Sequence, residues 1–113
     1  MRLAFDATSL LGPRTGVGTF TAEVLGRLAT RPDIDVTAFA VTWRGRGDFP
    51  GAVPAGVAAI ARPLPARLMR AAWRHAELPP LEWIAGRFDA VHGPNFVVPP
   101  SRRAARLVTV HDL

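Results

Sequence analysis

The chain has no cysteine and no lysine, and it has no long apolar run. Without cysteine, disulfides, thiolate metal sites and cysteine nucleophiles are excluded. Without lysine, a Walker phosphate loop is excluded, because its lysine reaches the phosphates. No apolar run has membrane-spanning length, and the opening run reaches Asp6 too early for a signal-peptide core. We therefore expect a cytoplasmic protein.

Basic residues outnumber acidic residues in the chain. All 14 basic residues are arginine, against 9 acidic residues, and the formal net charge is +5. Guanidinium groups suit phosphates and carboxylates, so phosphorylated ligands or an anionic membrane surface stay open as partners, although genomic base composition also favours arginine. Like charges form no long run and aromatics do not interleave with the arginines, so we expect no nucleic-acid partner.

Apolar segments of two kinds alternate along these 113 residues, of which 49% are hydrophobic, enough for one packed domain. Short apolar runs predict buried strands at 3–5, 36–41, 57–61, 88–92 and 106–110. Helical spacing predicts helices at 19–28 and 65–76 and a short one after residue 80, with a loop at 44–54. Thr19 or Thr21 is expected to cap the first helix, with Glu23 in its first turn. The expected fold class is α/β, a Rossmann-like parallel sheet with flanking helices.

Polar residues cluster where the predicted strands end. Because ligands bind outside the carboxyl ends of parallel strands, we expect these residues to line one rim. They are Asp6, the glycine-rich segment 12–18, His92 to Asn95, and His111 with Asp112. The glycine-rich segment precedes the first helix, where backbone amides can approach a phosphate, although an ordinary strand-to-helix turn also needs glycine.

A dinucleotide-binding site is the nearest competing interpretation. Gly16-Val17-Gly18 supplies the first part of G-x-G-x-x-G, but Thr21 occupies the third glycine position and no acid follows the second strand. Arg44 could instead meet a 2′-phosphate, so an NADP-dependent oxidoreductase stays open. No metal site is expected, because Asp33 and Asp35 precede a strand and adjacent strand-end residues point to different faces.

The helix predicted at 65–76 is amphipathic. Leu68, Met69, Ala72 and Trp73 are expected on one face, and Arg67, Arg70 and Arg74 on the other. We expect its apolar face to pack on the sheet. The alternative is a non-catalytic module whose helix binds an anionic membrane surface or a protein partner.

Four segments together resemble bacterial retaining glycosyltransferases of family four, and the resemblance spans the whole chain. They occur in the family's order: Leu3-Ala4-Phe5-Asp6-Ala7, Gly16-Val17-Gly18-Thr19-Phe20-Thr21, Val91-His92-Gly93-Pro94-Asn95-Phe96 and Val108-Thr109-Val110-His111-Asp112-Leu113.

The resemblance implies a GT-B enzyme with two Rossmann-like halves, of which residues 1–113 form an incomplete N-terminal, acceptor-side domain. It implies transfer of a hexose from a nucleoside diphosphate sugar to a sugar or lipid-linked acceptor, with no further cofactor and with peripheral membrane contact as one option. The implied roles are as follows: Gly16, Val17 and Gly18 bind the donor diphosphate, His111 and Asp112 are catalytic, and His92 and Asn95 bind the acceptor. The family's paired glutamate motif has no counterpart here, so we expect these residues alone to be inactive. No helix follows the last predicted strand, so we expect the sequence to be truncated and the isolated domain to be marginally stable.

Overall fold

The protein forms a five-stranded, fully parallel sheet in a computed structural model that describes residues 1–11, 16–42, 47–76, 78–94 and 98–109. The strands are β1 (Arg2–Asp6), β2 (Asp35–Val41), β3 (Ala58–Arg62), β4 (Ala90–Gly93) and β5 (Ala105–Val108). They lie in the order β3-β2-β1-β4-β5. Since β1 pairs with both β2 and β4, it is the central strand.

Four α-helices connect the described strands. They are α1 (Gly16–Leu28), α2 (Phe49–Ala52), α3 (Ala66–His75) and α4 (Leu81–Ile84), and a single 3₁₀ turn (Thr8–Leu10) follows β1. The alternation of strands and helices, with all strands parallel, is the α/β Rossmann-like arrangement that the sequence predicts.

Each face of the sheet has its own hydrophobic core. Alternate β1 residues face opposite sides, so Leu3 and Phe5 belong to one core and Ala4 to the other. Leu25 of α1 and Phe49 of α2 cover the first face. The second face is covered by α3 and α4, through Met69, Trp73, Leu81 and Ile84. Because both faces are covered at the centre of the sheet, β1 and β2 are nearly continuous apolar runs.

Most predicted elements are confirmed, but the loop expected at 44–54 is wrong in part. Phe49–Ala52 forms α2, and the Phe49 side chain is fully buried. The neighbouring Pro50 and Gly51 indicate a loop locally, yet proline is well tolerated at the start of a helix. Burial of the Phe49 ring in the first core is the tertiary reason for the helix.

The start of the first helix was also mispredicted. Helix α1 begins at Gly16, so Thr19 and Thr21 lie inside it rather than capping it, and Glu23 lies beyond its first turn. The Thr21 side chain is buried and its Oγ1 lies 3.1 Å from Ser9 Oγ. This contact with the segment after β1 is one that helical periodicity cannot reveal.

Helix α3 packs on the sheet as expected, but Leu68 does not lie on the buried face, where it was predicted. Met69 and Trp73 are buried in the second core, whereas Leu68 is 65% exposed. The Trp73 indole Nε1 donates to the carbonyl of Pro79, 3.1 Å away, which anchors the helix to the segment that follows it. None of the helices within the described ranges has the length and apolarity needed to cross a bilayer.

Candidate functional site

The candidate site lies at the carboxyl ends of β1 and β4. From β1 the chain winds to β2 on one side, while β4 and β5 lie on the other, so the winding reverses between β1 and β4. This reversal is the topological switch point where open α/β sheets bind ligands. Phe5 of β1 stands opposite His92 of β4, and Asp6 ends β1 one residue later.

Asp6 is a buried carboxylate that organises the turn after β1. Its Oδ1 accepts hydrogen bonds from the Thr8 backbone N–H at 3.1 Å and from Thr8 Oγ1 at 2.8 Å. The same Thr8 hydroxyl oxygen accepts from the backbone N–H of Val41 at 3.3 Å, which ties the end of β2 to that turn. Burial raises the pKa of Asp6, while the Thr8 bonds and the positive charge of Arg70 act in the opposite direction.

His92 is half-buried on β4, the strand next to β1. Its Nε2 lies 2.6 Å from Thr109 Oγ1, and its ring centroid lies 4.7 Å from that of Phe5. Thr109 is itself held by β4, because its backbone N–H donates to the carbonyl of Gly93 at 2.9 Å. Burial lowers the pKa of His92, so the ring is neutral at neutral pH and offers one donor and one acceptor nitrogen.

The third part of the rim is the N-terminus of α1. Gly16, Val17 and Gly18 form its first turn rather than a preceding loop, and Gly12 to Thr15 lie outside the described residues. The first backbone N–H groups of a helix lack intrahelical partners and favour anions. Gly16 is exposed, and a Cβ added there would meet no atom within 4 Å, so there is space beside this residue.

The structure therefore places some predicted site residues at neighbouring strand and helix ends and leaves others outside its description. Asp6 ends β1, His92 lies one residue before the end of the neighbouring β4, and Gly16 to Gly18 open the helix that follows β1. Asn95, His111 and Asp112 lie outside the described residues, as does Arg44. The functional roles assigned to all of these residues stay predictions.

Two hydroxyl residues of the rim were missed by sequence reasoning. Thr8 follows Asp6 by two positions, a spacing at which side-chain to backbone turns form, so it could have been found. Thr109 could not, because its contact with His92 depends on the pairing of β4 with β5. The described part of the chain contains no group of three histidine, aspartate or glutamate residues placed to hold a metal ion.

The fold and this rim define an α/β protein with a Rossmann-like sheet and its candidate site at the switch point. No family model matches the chain, and no curated protein or solved structure matches it. A more specific function therefore depends on the chemistry of the rim and on the sequence motifs.

Proposed function

We propose that the chain is the acceptor-side half of a retaining GT-B glycosyltransferase, which transfers a hexose from a nucleoside diphosphate sugar to a sugar or lipid-linked acceptor. The observation that carries the proposal is that three different groups lie on elements that border one switch point. These are an open helix N-terminus at Gly16, a buried carboxylate at Asp6 and a half-buried neutral imidazole at His92.

The first turn of α1 suits the diphosphate of the donor. The positive end of the helix dipole favours an anion, and the space around Gly16 lets phosphate oxygens come close. The positive potential at the helix N-terminus stabilises the negative charge that develops on the leaving diphosphate. Gly16, Val17 and Gly18 are therefore assigned to the donor diphosphate.

His92 suits the acceptor. A neutral imidazole can donate a hydrogen bond to a sugar hydroxyl or accept one from it, and the contacts with Thr109 and Phe5 hold the ring in place. Asn95 is assigned to the acceptor and His111 with Asp112 to the reacting centre of the donor sugar on the sequence motifs alone. In this assignment Asp6 is a positioning residue, because its carboxylate already accepts two hydrogen bonds from Thr8.

The test is a titration of the ¹⁵N-labelled 113-residue chain with UDP-glucose and GDP-mannose, followed by NMR. We expect saturable shifts of the Gly16, Val17 and Gly18 amides. Gly16→Glu should weaken binding at least several-fold, because a carboxylate there repels the diphosphate while still favouring the helix dipole. Gly26→Glu is the matched control, since Gly26 lies in the same helix away from its first turn and its added Cβ also meets nothing within 4 Å.

An NADP-dependent oxidoreductase is the second candidate, because the strand order β3-β2-β1-β4-β5 is also that of a dinucleotide-binding sheet. The same titration with NADP separates the two. Shifts with NADP that are lost in Arg44→Ala, together with no response to either nucleotide sugar, would replace the glycosyltransferase assignment. If Gly16→Glu and the unchanged chain bound the nucleotide sugars equally well, the N-terminus of α1 would not be part of the donor site.

A further inference from the structure

A groove of about 300 Å³ lies at the amino ends of the strands, whereas the candidate site lies at their carboxyl ends. The groove is lined by Arg2, Arg87, Phe88, Asp89 and Arg103. Arg2 begins β1, Asp89 immediately precedes β4, and Arg103 lies two residues before β5. The groove is thus at the amino ends of three neighbouring strands. We call it the amino-end groove.

One wall of the amino-end groove is held in a fixed arrangement. Arg2 Nη1 donates to the carbonyl of Arg87 at 2.9 Å, and its guanidinium carbon lies 4.8 Å from the centroid of the buried Phe88 ring. The Arg2 backbone N–H donates to Asp89 Oδ2 at 2.7 Å. A guanidinium that is already stacked and hydrogen-bonded loses less side-chain entropy when it meets a ligand.

The segment that carries Arg103 is also tied down. Ser101 Oγ accepts the backbone N–H groups of Arg103 at 3.3 Å and Ala104 at 2.9 Å. The same hydroxyl donates to Glu82 Oε2 at 2.5 Å, and the backbone N–H of Arg102 donates to Glu82 Oε1 at 3.0 Å. These bonds fix the segment against α4, so the backbone position of Arg103 does not depend on a ligand.

The charge of the amino-end groove is strongly one-sided. Three arginine residues line it, against the single acidic residue Asp89, whose carboxylate already accepts the Arg2 backbone N–H. The Arg87 and Arg103 residues are exposed, so their forked donors are open to solvent. Arginine forks match the oxygens of a phosphate group and bind them in a bidentate manner.

We propose that the amino-end groove binds the phosphate group of a small phosphorylated molecule, between the guanidinium groups of Arg87 and Arg103 and beside that of Arg2. Its volume of about 300 Å³ is at the lower end for small-molecule sites, which suits a phosphate monoester better than a large ligand. Because this site lies at the amino ends of the strands, away from the candidate site, the proposal does not depend on the proposed glycosyl transfer.

The experiment is an NMR titration of the 113-residue chain, observing the arginine Nε–Hε resonances, at constant ionic strength set with sodium chloride. The probes are inorganic phosphate and glycerol 3-phosphate. We expect saturable shifts of the Arg2, Arg87 and Arg103 resonances. The double variant Arg87→Gln/Arg103→Gln should weaken binding at least tenfold.

The double variant Arg67→Gln/Arg74→Gln on α3 removes the same charge from exposed positions outside the groove, and it should bind as the unchanged chain does. Circular dichroism of both variants checks that they are folded. Tighter binding of glycerol 3-phosphate identifies a phosphorylated molecule as the ligand, whereas binding of inorganic phosphate alone identifies the free ion. Either supports a phosphate site, but equal losses in both double variants, or shifts that rise linearly on all arginines, would overturn it.

Discussion

At the scale of single residues, burial acts in opposite ways on the two ionisable groups of the rim. It raises the pKa of the Asp6 carboxyl and lowers the pKa of the His92 imidazole, so in both cases it disfavours the charged form. The rim therefore joins two groups whose charge costs free energy in the folded state. Such perturbed groups cluster at functional sites, although structural turns perturb pKa values too.

Replacing Asp6 with asparagine should stabilise the fold, and the gain should grow with pH. The folded state binds the Asp6 proton more tightly than the unfolded state, so this group's contribution to stability is complete below its ordinary pKa of 3.8 and is lost as pH rises through the raised value. Asparagine keeps the Oδ1 acceptor for Thr8 but carries no charge. Urea unfolding at pH 4 and pH 8 should show the larger difference between the two proteins at pH 8.

The control for that measurement is Asp6→Ala, which removes the acceptor as well as the charge. It leaves the Thr8 donors unpaired and should destabilise the fold by about 1–3 kcal/mol. If the gain from Asp6→Asn were the same at both pH values, the Asp6 carboxyl would not be charged at a cost in the folded state.

At the scale of elements, helix α3 shows that the apolar residues of a helix do not all face the core. Leu68 and Met69 are neighbours in sequence and similar in size, but Met69 is only 6% exposed and Leu68 is 65% exposed. The second core accepts Met69 and Trp73, four residues apart on one side of the helix. Leu68 adds to the apolar count of the helix without joining that side.

Truncating these two neighbours should therefore have very different effects. Met69→Ala should lower the free energy of unfolding by about 2–5 kcal/mol, because it leaves a cavity in the second core. Leu68→Ala should change it by less than about 0.5 kcal/mol, as expected for an exposed side chain. Chemical denaturation of both variants checks this, and a large loss for Leu68→Ala would mean that α3 is rotated from the orientation described.

The elements also show how much of the fold sequence reasoning could reach. The apolar runs of β1 and β2 were predictable, because strands covered on both faces lack polar positions. Helix α2 was not, because Phe49 is followed by Pro50 and Gly51 and only the distant core explains its burial. The predicted strand at 88–92 starts two residues early, because β4 begins at Ala90, although the Asp89 backbone already bonds to Arg2 and Ala105 on the two neighbouring strands.

The candidate site was predictable only as a set of strand ends. Asp6 and His92 could be placed at one rim, because parallel strands share their carboxyl edge. That these two strands are immediate neighbours depends on the pairing of β1 with β4, which no local pattern specifies. The contact of His92 with Thr109 depends in turn on β5, so the partner of the imidazole was beyond sequence reasoning.

At the scale of the whole molecule, the described sheet is well covered at its centre and open at one edge. All four residues of β5 are exposed, including Leu107 at 50% and Val108 at 46%. An edge strand with exposed backbone groups and apolar side chains is a template for pairing with another chain. The central strand β1, by contrast, is buried from Leu3 to Asp6.

We expect the 113-residue chain to self-associate through β5 as its concentration rises. Sedimentation velocity should show an average mass that increases with concentration, and Leu107→Lys should reduce this association several-fold because charge on an edge strand opposes pairing. Leu68→Lys makes the same change at another exposed leucine, on α3, and should leave association unchanged. If Leu68→Lys reduced association and Leu107→Lys did not, the contact between chains would lie on α3 instead of β5.

The pairing of β1 with β4 also has a consequence for how the molecule assembles. Arg2 and Asp89, at the start of this pairing, are 87 positions apart along the chain. The entropy of closing so long a loop must be overcome before its contacts form, whereas β1 and β2 join across a much shorter connection. We therefore expect the rim at Asp6 and His92 to form late in folding, so that the His92 environment would report when the chain has completed its fold.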